Sequence, residues 1–514
     1  MDAAAARRVG TPVVVALGAV TTAAAFLRFY AIGRQGFWYD EATTAWLLRG
    51  TPGQLLARLP HTESTPPLYY LLAWGWVRLF GDTQTGLRSL SALAGVITVP
   101  VAFAAARELA GRRVGLLAAG LVAVNPFLVC YSQEARSYAL LVLASTVALL
   151  LFARARANPS PGRFVAWAAA ATVALCVHYF AVFLVMPEAV LLARECRVSL
   201  RWRLGSLAIV AVPALALFAL ARTQSSRSYY FSHAPLGVRA AQIPEFFLAG
   251  FTPPAGRIAL AVAGLAALVG AALFVLRADP GERRGALVAA GIGLCGVLLP
   301  VLVALGGADY LNARNVIGAL VPLLIALACG FAARRPRRLG VGAAALLVAV
   351  SFVMVFKVPD NAGAQRTHWQ QIARVLRYTS KPRAILLLGP HTWSRILGFY
   401  LPHTWWDPPQ GMRVSEIDVL RKASAAGPCP AVVWWGASCD SGPHKPLTQS
   451  PAPGFRFAQG VRVAGFAVDR YRSARPIRVY AHPPFEHFTS LDRGVSYRHR
   501  GRLMVTPARA PVVP

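Results

Sequence analysis

Apolar residues run in stretches of about 18 to 22 positions, with short clusters of arginines between them. At about 1.5 Å per residue, a helix of that length crosses the hydrocarbon core of a bilayer. A helix also satisfies its own backbone where no water is present. Eleven spans are predicted, roughly over residues 12–32, 87–106, 114–131, 137–153, 163–178, 180–194, 204–222, 257–276, 285–305, 315–333 and 339–356. The first run is too long for the apolar region of a signal peptide and reads as an uncleaved helix.

One further apolar segment, PPLYYLLAWGWVRLFG (66–81), carries Tyr69, Tyr70, Trp74 and Trp76. Amphipathic rings of that kind collect at the headgroup boundary, and Pro66-Pro67 suits a helix start. The segment therefore reads as an interfacial or re-entrant helix. A full crossing there is the alternative, and it would reverse the side of every later basic cluster. After Phe356 the long apolar runs end. QRTHWQQIARVLRYTS (365–380) has the spacing of an amphipathic helix, and AILLLGP (384–390) and AVVWWG (431–436) read as buried strands. RILGFYL (395–401) and MRVSEIDVLRKAS (412–424) read as helices, FAVDRYR and PIRVYAH as later strands. The expected organisation is a transmembrane domain over 1–356 and an extracytoplasmic α/β domain over 357–514.

Composition supports the membrane reading: 56% of the 514 residues are hydrophobic and 14% are charged. A soluble chain of ordinary composition carries about 25% charged residues. The net charge of +32 is concentrated in clusters between the apolar runs, at Arg7-Arg8, 107–113, 154–163, 194–203, 277–284 and 334–338. With the N-terminus inside, all six fall on the cytoplasmic side, as the positive-inside rule requires. The charge is thus topological, reinforced by anionic lipid, and a nucleic-acid partner is excluded. Seven cysteines occur. Cys130, Cys176, Cys295 and Cys329 lie in or at the end of spans as small apolar filler, Cys196 is cytoplasmic, and Cys429 and Cys439 could pair in an oxidising compartment. No Cys/His spacing suggests zinc.

The predicted outer side gathers the polar residues that the spans avoid. Asp40 and Glu41 follow the first span, and His61 and Glu63 precede the aromatic segment. Tyr131, Glu134 and Arg136 lie in YSQEARSY, and His178 and Tyr179 in a short turn. Asp309, Tyr310, Asn312 and Arg314 lie in ADYLNAR. Ionisable groups near membrane depth are costly and usually face a cavity or a partner. Carboxylates can take a proton from a hydroxyl, arginine and histidine can hold a phosphate, and aromatic rings can stack on a sugar or border a lipid tail. An acid, a phosphate clamp and lipid access together suggest group transfer from a lipid-linked phosphate donor. The bland readings are an interfacial cap at Asp40-Glu41, a local Glu134–Arg136 pair, a loop histidine and one more flanking arginine. A transporter or lipid flippase, and a non-catalytic cell-envelope assembly subunit, are the rival classes. Midplane charges or an internal repeat would favour the first, a dispensable polar cluster the second.

The Asp-Glu pair after the first span, PPLYYLL, RxxSALAG (88–95), NPFLVCYSQEARSYALL, CVHYF and the late QRTHWQ resemble bacterial family-39-type glycosyltransferases. These belong to the GT-C superfamily, with the protein O-mannosyltransferases and aminoarabinose transferases. The resemblance covers roughly residues 12–200 well and the remainder loosely. It implies a GT-C-like transmembrane domain and transfer of a sugar from a polyprenyl-phosphate donor on the outer face of the plasma membrane, to a glycan, lipid or protein of the cell envelope. It implies Asp40, beside Glu41, as base, with Glu134 as the second acid. Arg136 and, less directly, Arg314 would hold donor phosphate. His61, Tyr131, His178, Tyr179, Tyr310 and Asn312 are the further candidate substrate contacts. His61 is displaced from the family's HPPLYY pattern. Some members use a DxD motif and a divalent cation; this chain has no DxD at that place, and no cofactor is assigned. Four lysines against forty-nine arginines suggest a GC-rich genome.

Overall fold

The computed structural model describes residues 10–195, 198–224, 234–250, 256–358, 369–377, 383–388, 392–401, 405–406, 412–423, 450–463, 465–479 and 502–506. The expected strand at 431–436, the Cys429–Cys439 pair and Cys196 lie outside the described residues. Residues pack into two units: Met1–Ile32 with Gly50–Asp360, and Gly33–Arg49 with Asn361–Pro514.

The first unit is helical. It contains α1 (Thr11–Phe29), while α2 (Tyr39–Leu48) falls in the second unit. Then follow α3 (Pro52–Thr62), α4 (Leu68–Phe80), α5 (Gln84–Val124), α6 (Pro126–Ser132), α7 (Tyr138–Ala157), α8 (Pro161–Val177) and α9 (Val182–Glu195). After these come α10 (Leu200–Gln224), α11 (Leu236–Ala249), α12 (Gly256–Arg277), α13 (Pro280–Leu305), α14 (Leu320–Phe331) and α15 (Arg337–Lys357). Among the described residues seven helices are long and apolar enough to cross a membrane, and two shorter apolar helices accompany them. Every expected span falls on helix. The 41-residue α5 holds all of the expected span 87–106 and part of 114–131, with a break between them at Gly111, φ 88°. Only glycine takes that conformation without strain.

The aromatic segment forms α4, 13 residues long. At about 1.5 Å per residue that is near 20 Å, too short to cross. Trp74 Nε1 donates to the Gly50 carbonyl at 2.8 Å, and the Arg78 guanidinium stacks 3.9 Å from the Trp74 ring. Leu72, Leu79 and Phe80 are exposed. One side of α4 is tied to protein while an apolar row stays open, as the interfacial reading expects.

The second unit carries a six-stranded sheet of order β2-β6-β1-β3-β5-β4, from β1 (Arg383–Leu388), β2 (Trp405–Trp406), β3 (Met412–Lys422), β4 (Arg456–Val463), β5 (Phe466–Val479) and β6 (Arg502–Thr506). β1 and β3 are parallel; the other pairs are antiparallel. Helices α16 (Trp369–Arg377) and α17 (Thr392–Tyr400) bring Trp369 and Trp393 to the Phe466 ring, each 5.0 Å away. The helix expected over 412–424 is a correction: the segment is the central strand β3. Glu416 and Asp418, which look like a helix's wet face, alternate with period two and meet arginines of the next strand. Glu416 pairs in register with Arg472 and Asp418 with Arg470. Those partners lie more than fifty residues away, beyond any local pattern. FAVDRYR and the first four residues of PIRVYAH fall, as expected, on strand, here the one long strand β5; residues 480–482 lie outside the described residues.

Asp418 and Arg383 are both fully buried, with Arg383 Nη1 on Asp418 Oδ2 at 2.8 Å and Arg470 Nε on Oδ1 at 2.9 Å. Replacing one partner of a buried pair strands the other's charge at a cost of about 3–5 kcal/mol. Asp418→Ala is therefore expected to lower protection of the 383–388 and 412–422 backbone amides in hydrogen exchange. Unchanged protection would show that the ladder does not hold the sheet.

Candidate functional site

The site is built around a buried ion pair in the first unit. Arg136 donates from Nη1 to Glu63 Oε1 at 3.0 Å and from Nη2 to Oε2 at 2.9 Å. Both side chains are about 95% buried, at 6% and 5% exposure. Two parallel hydrogen bonds fix the guanidinium plane as well as its position. Glu63 lies at the C-terminal cap of α3. The Tyr70 hydroxyl on α4 is 2.9 Å from Thr65 Oγ1, interacts with Glu63, and its ring lies 6.0 Å from the Arg136 guanidinium carbon.

The backbone that carries Arg136 is a tight turn, Gln133–Ser137, between α6 and α7. Asn125 caps α6 by accepting from Leu128 N–H at 3.0 Å, with Pro126 at the first helical position where its missing donor costs nothing. The Asn125 amide also donates to the Phe247 carbonyl at 2.7 Å, which ties α6 to α11. Glu134 is buried in the same turn.

His178 ends α8 and is buried. Its Nδ1 accepts from the Phe180 N–H at 3.2 Å. Nδ1 is therefore unprotonated and the ring neutral, with its proton on Nε2. Among the described residues Nε2 meets no acceptor. The charges of both Arg136 and Arg314 reach this imidazole. The Tyr138 ring lies between: its centroid is 5.7 Å from that of His178, 4.9 Å from that of Tyr131, and 5.6 Å from the Arg314 guanidinium carbon. Two arginines, a neutral imidazole donor and three tyrosines thus converge from α4, α6, the 133–137 turn, the ends of α7 and α8, and the 306–316 loop.

That loop is held from outside the cluster. Arg239 on α11 donates from both terminal nitrogens to the Asp309 carboxylate and from Nη1 to the Leu311 carbonyl at 2.6 Å. Asp309 also accepts from the Leu311 N–H, Asn312 Oδ1 accepts from the Arg314 N–H, and Asn315 Nδ2 donates to the Tyr310 carbonyl. The side chains of Asp309, Asn312 and Asn315 fold the loop; Arg314 alone of its charged residues is buried.

The structure thus brings together Tyr131, Arg136, His178 and Arg314 of the expected residues, with Glu134 in the same turn. Tyr310 and Asn312 belong to the loop's own framework. The Tyr179 hydroxyl donates to Gln224 Oε1 at 2.8 Å, tying the short turn after α8 to α10. His61 is exposed at the end of α3. Asp40 and Glu41 lie in the first turn of α2 in the second unit, where Phe37 and Arg49 pack on the Phe399 ring of α17. Glu41 is buried and accepts from the Trp38 N–H at 3.4 Å, an N-terminal cap; Asp40 is half-buried. Sequence reasoning assigns no site role to Tyr70, Tyr138 or Glu63, although Glu63 stands among the polar residues of the predicted outer side. Only the spacing of Glu63 before the aromatic segment hinted at it. Glu188, inside α9, accepts from Trp167 Nε1 at 2.8 Å, apart from the cluster. Among the described residues no group of three or more His, Cys, Asp or Glu side chains is placed to hold a metal ion.

Residues 64–222 match the model of the dolichyl-phosphate-mannose-protein mannosyltransferase family. The resemblance to GT-C glycosyltransferases is thereby borne out over the stretch that holds α4, the 133–137 turn and His178. Among solved structures, ArnT from Cupriavidus metallidurans bound to undecaprenyl phosphate is 15% identical, with a TM-score of 0.42, over 90% of this chain and 98% of that one. The oligosaccharyltransferase of Archaeoglobus fulgidus is 12% identical, with a TM-score of 0.41, over 70% and 55%. The S. cerevisiae Pmt1-Pmt2 complex bound to its sugar donor is 17% identical, with a TM-score of 0.33, over 42% of this chain; this chain spans 35% of that one. No curated protein matches.

Two expectations follow. Arg136→Ala leaves the Glu63 carboxylate buried without its fork and should cost about 3–5 kcal/mol, while Arg136→Ala with Glu63→Ala should recover part of it. Thermal unfolding of the purified chain measures both, and equal losses in the single and double variants would contradict the pairing. The hydrogen bonds from Arg239 hold the Asp309 carboxyl below the ordinary carboxylate range. A depressed folded-state value contributes stability above the ordinary range and loses it as pH falls through the depressed value. Acidification into that window should raise amide exchange in 306–316 in the wild type, and should add nothing in Asp309→Asn.

Proposed function

We propose that the chain is a membrane glycosyltransferase that moves a sugar from a polyprenyl-phosphate-linked donor to an acceptor on the outer face of the plasma membrane. The observation that carries this reading is the buried convergence of Arg136, Arg314 and the Nε2–H of His178. Arg314, the Glu63-paired Arg136 and a neutral donor in a low-dielectric setting suit a phosphate group, and suit it more as charge develops on leaving. Tyr70, Tyr131 and Tyr138 add flat rings and hydroxyls suited to a sugar. The family match over 64–222 supports the same assignment.

In the proposed reaction the acceptor hydroxyl oxygen attacks the anomeric carbon of the donor. The new C–O bond forms as the bond from that carbon to the phosphate oxygen breaks, and its electron pair leaves with polyprenyl phosphate. A phosphate is already a weak base, so no general acid is needed. The hydroxyl proton goes to a carboxylate; Asp40 is the proposed base, with Glu41 committed to capping its own helix. Glu134 is the second proposed acid. Attack from the face opposite the phosphate inverts the anomeric centre. A transporter would draw instead on Glu188, the carboxyl inside a span, whose described partner is the Trp167 indole.

The test is transfer from a radiolabelled polyprenyl-phosphate sugar in membranes carrying wild type, Arg314→Ala or Asp40→Asn. Wild type is expected to form product with inverted configuration. Arg314→Ala should lose about 100-fold or more in turnover, the scale of removing one preorganised charge-stabilising group. Asp40→Asn should abolish turnover while folding normally. No transfer by wild type with any of several donors would overturn the reading, and full turnover by Asp40→Asn would remove Asp40 from it.

A further inference from the structure

The turn that carries Glu134 and Arg136 is gripped by a set of side chains that reach backbone carbonyls, and none of them belongs to the convergent cluster. Arg28, near the end of α1, is 1% exposed. Its guanidinium donates to the carbonyls of Ala123 at 2.8 Å and Val122 at 3.0 Å, the last turn of α5, and to its own helix at Ala24. Among the described residues no carboxylate pairs with it. Its charge instead meets the negative end of the α5 dipole and satisfies carbonyls left open by that helix. The reverse grip comes from Gln133, the first residue of the turn. Its amide reaches the carbonyls of Leu27 at 3.1 Å, Arg28 at 3.3 Å and Tyr30 at 2.8 Å, which close α1. Arg28 of α1 thus caps the end of α5, and Gln133, from the turn after α6, caps the end of α1.

Helix α5 adds a third side. Arg88, Ser91 and Gly95 fall at spacings of three and four, along one helix face. Arg88 donates to the Ile32 carbonyl at 2.8 Å, just beyond α1. Ser91 donates to the carbonyl of Arg136 itself at 3.2 Å. Gly95 leaves the space in which Arg28 and Ser132 sit: a Cβ there would lie 2.6 Å from Arg28 Nε and would also meet Ser132 Oγ. The RxxSALAG motif thereby acquires a physical content, since its first, fourth and last residues all face this grip.

We propose that Arg28 and Gln133 are positioning residues that set the Glu134–Arg136 turn, Arg28 by capping α5 and Gln133 by capping α1, with the Arg88, Ser91 and Gly95 face of α5 as the third wall. They touch no substrate group; they fix the backbone from which Arg136 reaches Glu63 and the phosphate. Arg28→Lys keeps the charge but cannot span two carbonyls with a planar fork. The proposal rests on the transferase reading for its kinetic arm only.

Hydrogen exchange is measured on full-length wild type, Arg28→Lys and Gln133→Ala, with transfer kinetics on the same preparations. Both variants are expected to exchange faster in peptides covering 125–138, with other spans unchanged. Turnover is expected to fall by about 10- to 100-fold, since a displacement near 1 Å at a reacting group can cost 100-fold. In an Arg136→Lys background, Arg28→Lys should add little, because its effect passes through Arg136. Unchanged exchange over 125–138 overturns the proposal. So do kinetic losses from Arg28→Lys and Arg136→Lys that multiply in full, which mark a general structural fault. If wild type transfers no sugar, the function fails while the exchange arm still decides the caps. Gly95→Ala, which crowds Arg28 from another helix, should reproduce the exchange pattern.

Discussion

The Glu63–Arg136 pair is the interaction on which the site depends. A guanidinium taken out of water loses hydration worth several kcal/mol, and only a well-aligned partner recovers it. Glu63 supplies that partner with both oxygens. The pairing commits two distant segments, the entry to α4 and the 133–137 turn, to one place. Tyr70 and the imidazole of His178 sit within reach of the same charge, so their surroundings follow from it.

Around this pair the chain does what a membrane interior requires. Irregular backbone at the ends of spans has to be satisfied by protein, because lipid offers no donor or acceptor. The 133–137 turn and the 306–316 loop are both irregular, and both are stitched by side chains aimed at backbone: Asn125, Arg28, Gln133 and Ser91 for the first, Arg239, Asn312 and Asn315 for the second. The division of labour is chemical. Amides and outlying arginines satisfy carbonyls and N–H groups, while Arg314 and His178 flank the Tyr138 ring and Arg136 is held by Glu63. Two of the expected substrate contacts also take part in the stitching, Asn312 by its side-chain oxygen and Tyr310 by its carbonyl.

The second unit solves a related problem in a sheet. Its central strand carries Glu416 and Asp418 into a buried face, and arginines from β1 and β5 neutralise them. Read locally, acids at every second position beside isoleucine and valine pass for a helix surface. The cross-strand arginines that make them a strand lie on segments folded back from elsewhere.

The sequence by itself determined the class of the molecule. Long apolar runs have one stable solution in lipid, so the helices fall where hydropathy puts them. The shortness of α4 and the change of composition after Phe356 were equally legible, because length and composition are local. The polar residues of the site were legible as types, since ionisable groups are rare where charge is expensive. Which of them meet was decided by tertiary structure alone. Glu63 and Arg136 are seventy-three positions apart, Arg28 and its α5 carbonyls more than ninety, and no periodicity encodes such a pairing. A bidentate bond exists only when two backbones have already been brought to the right distance and angle, and packing of the helices sets both.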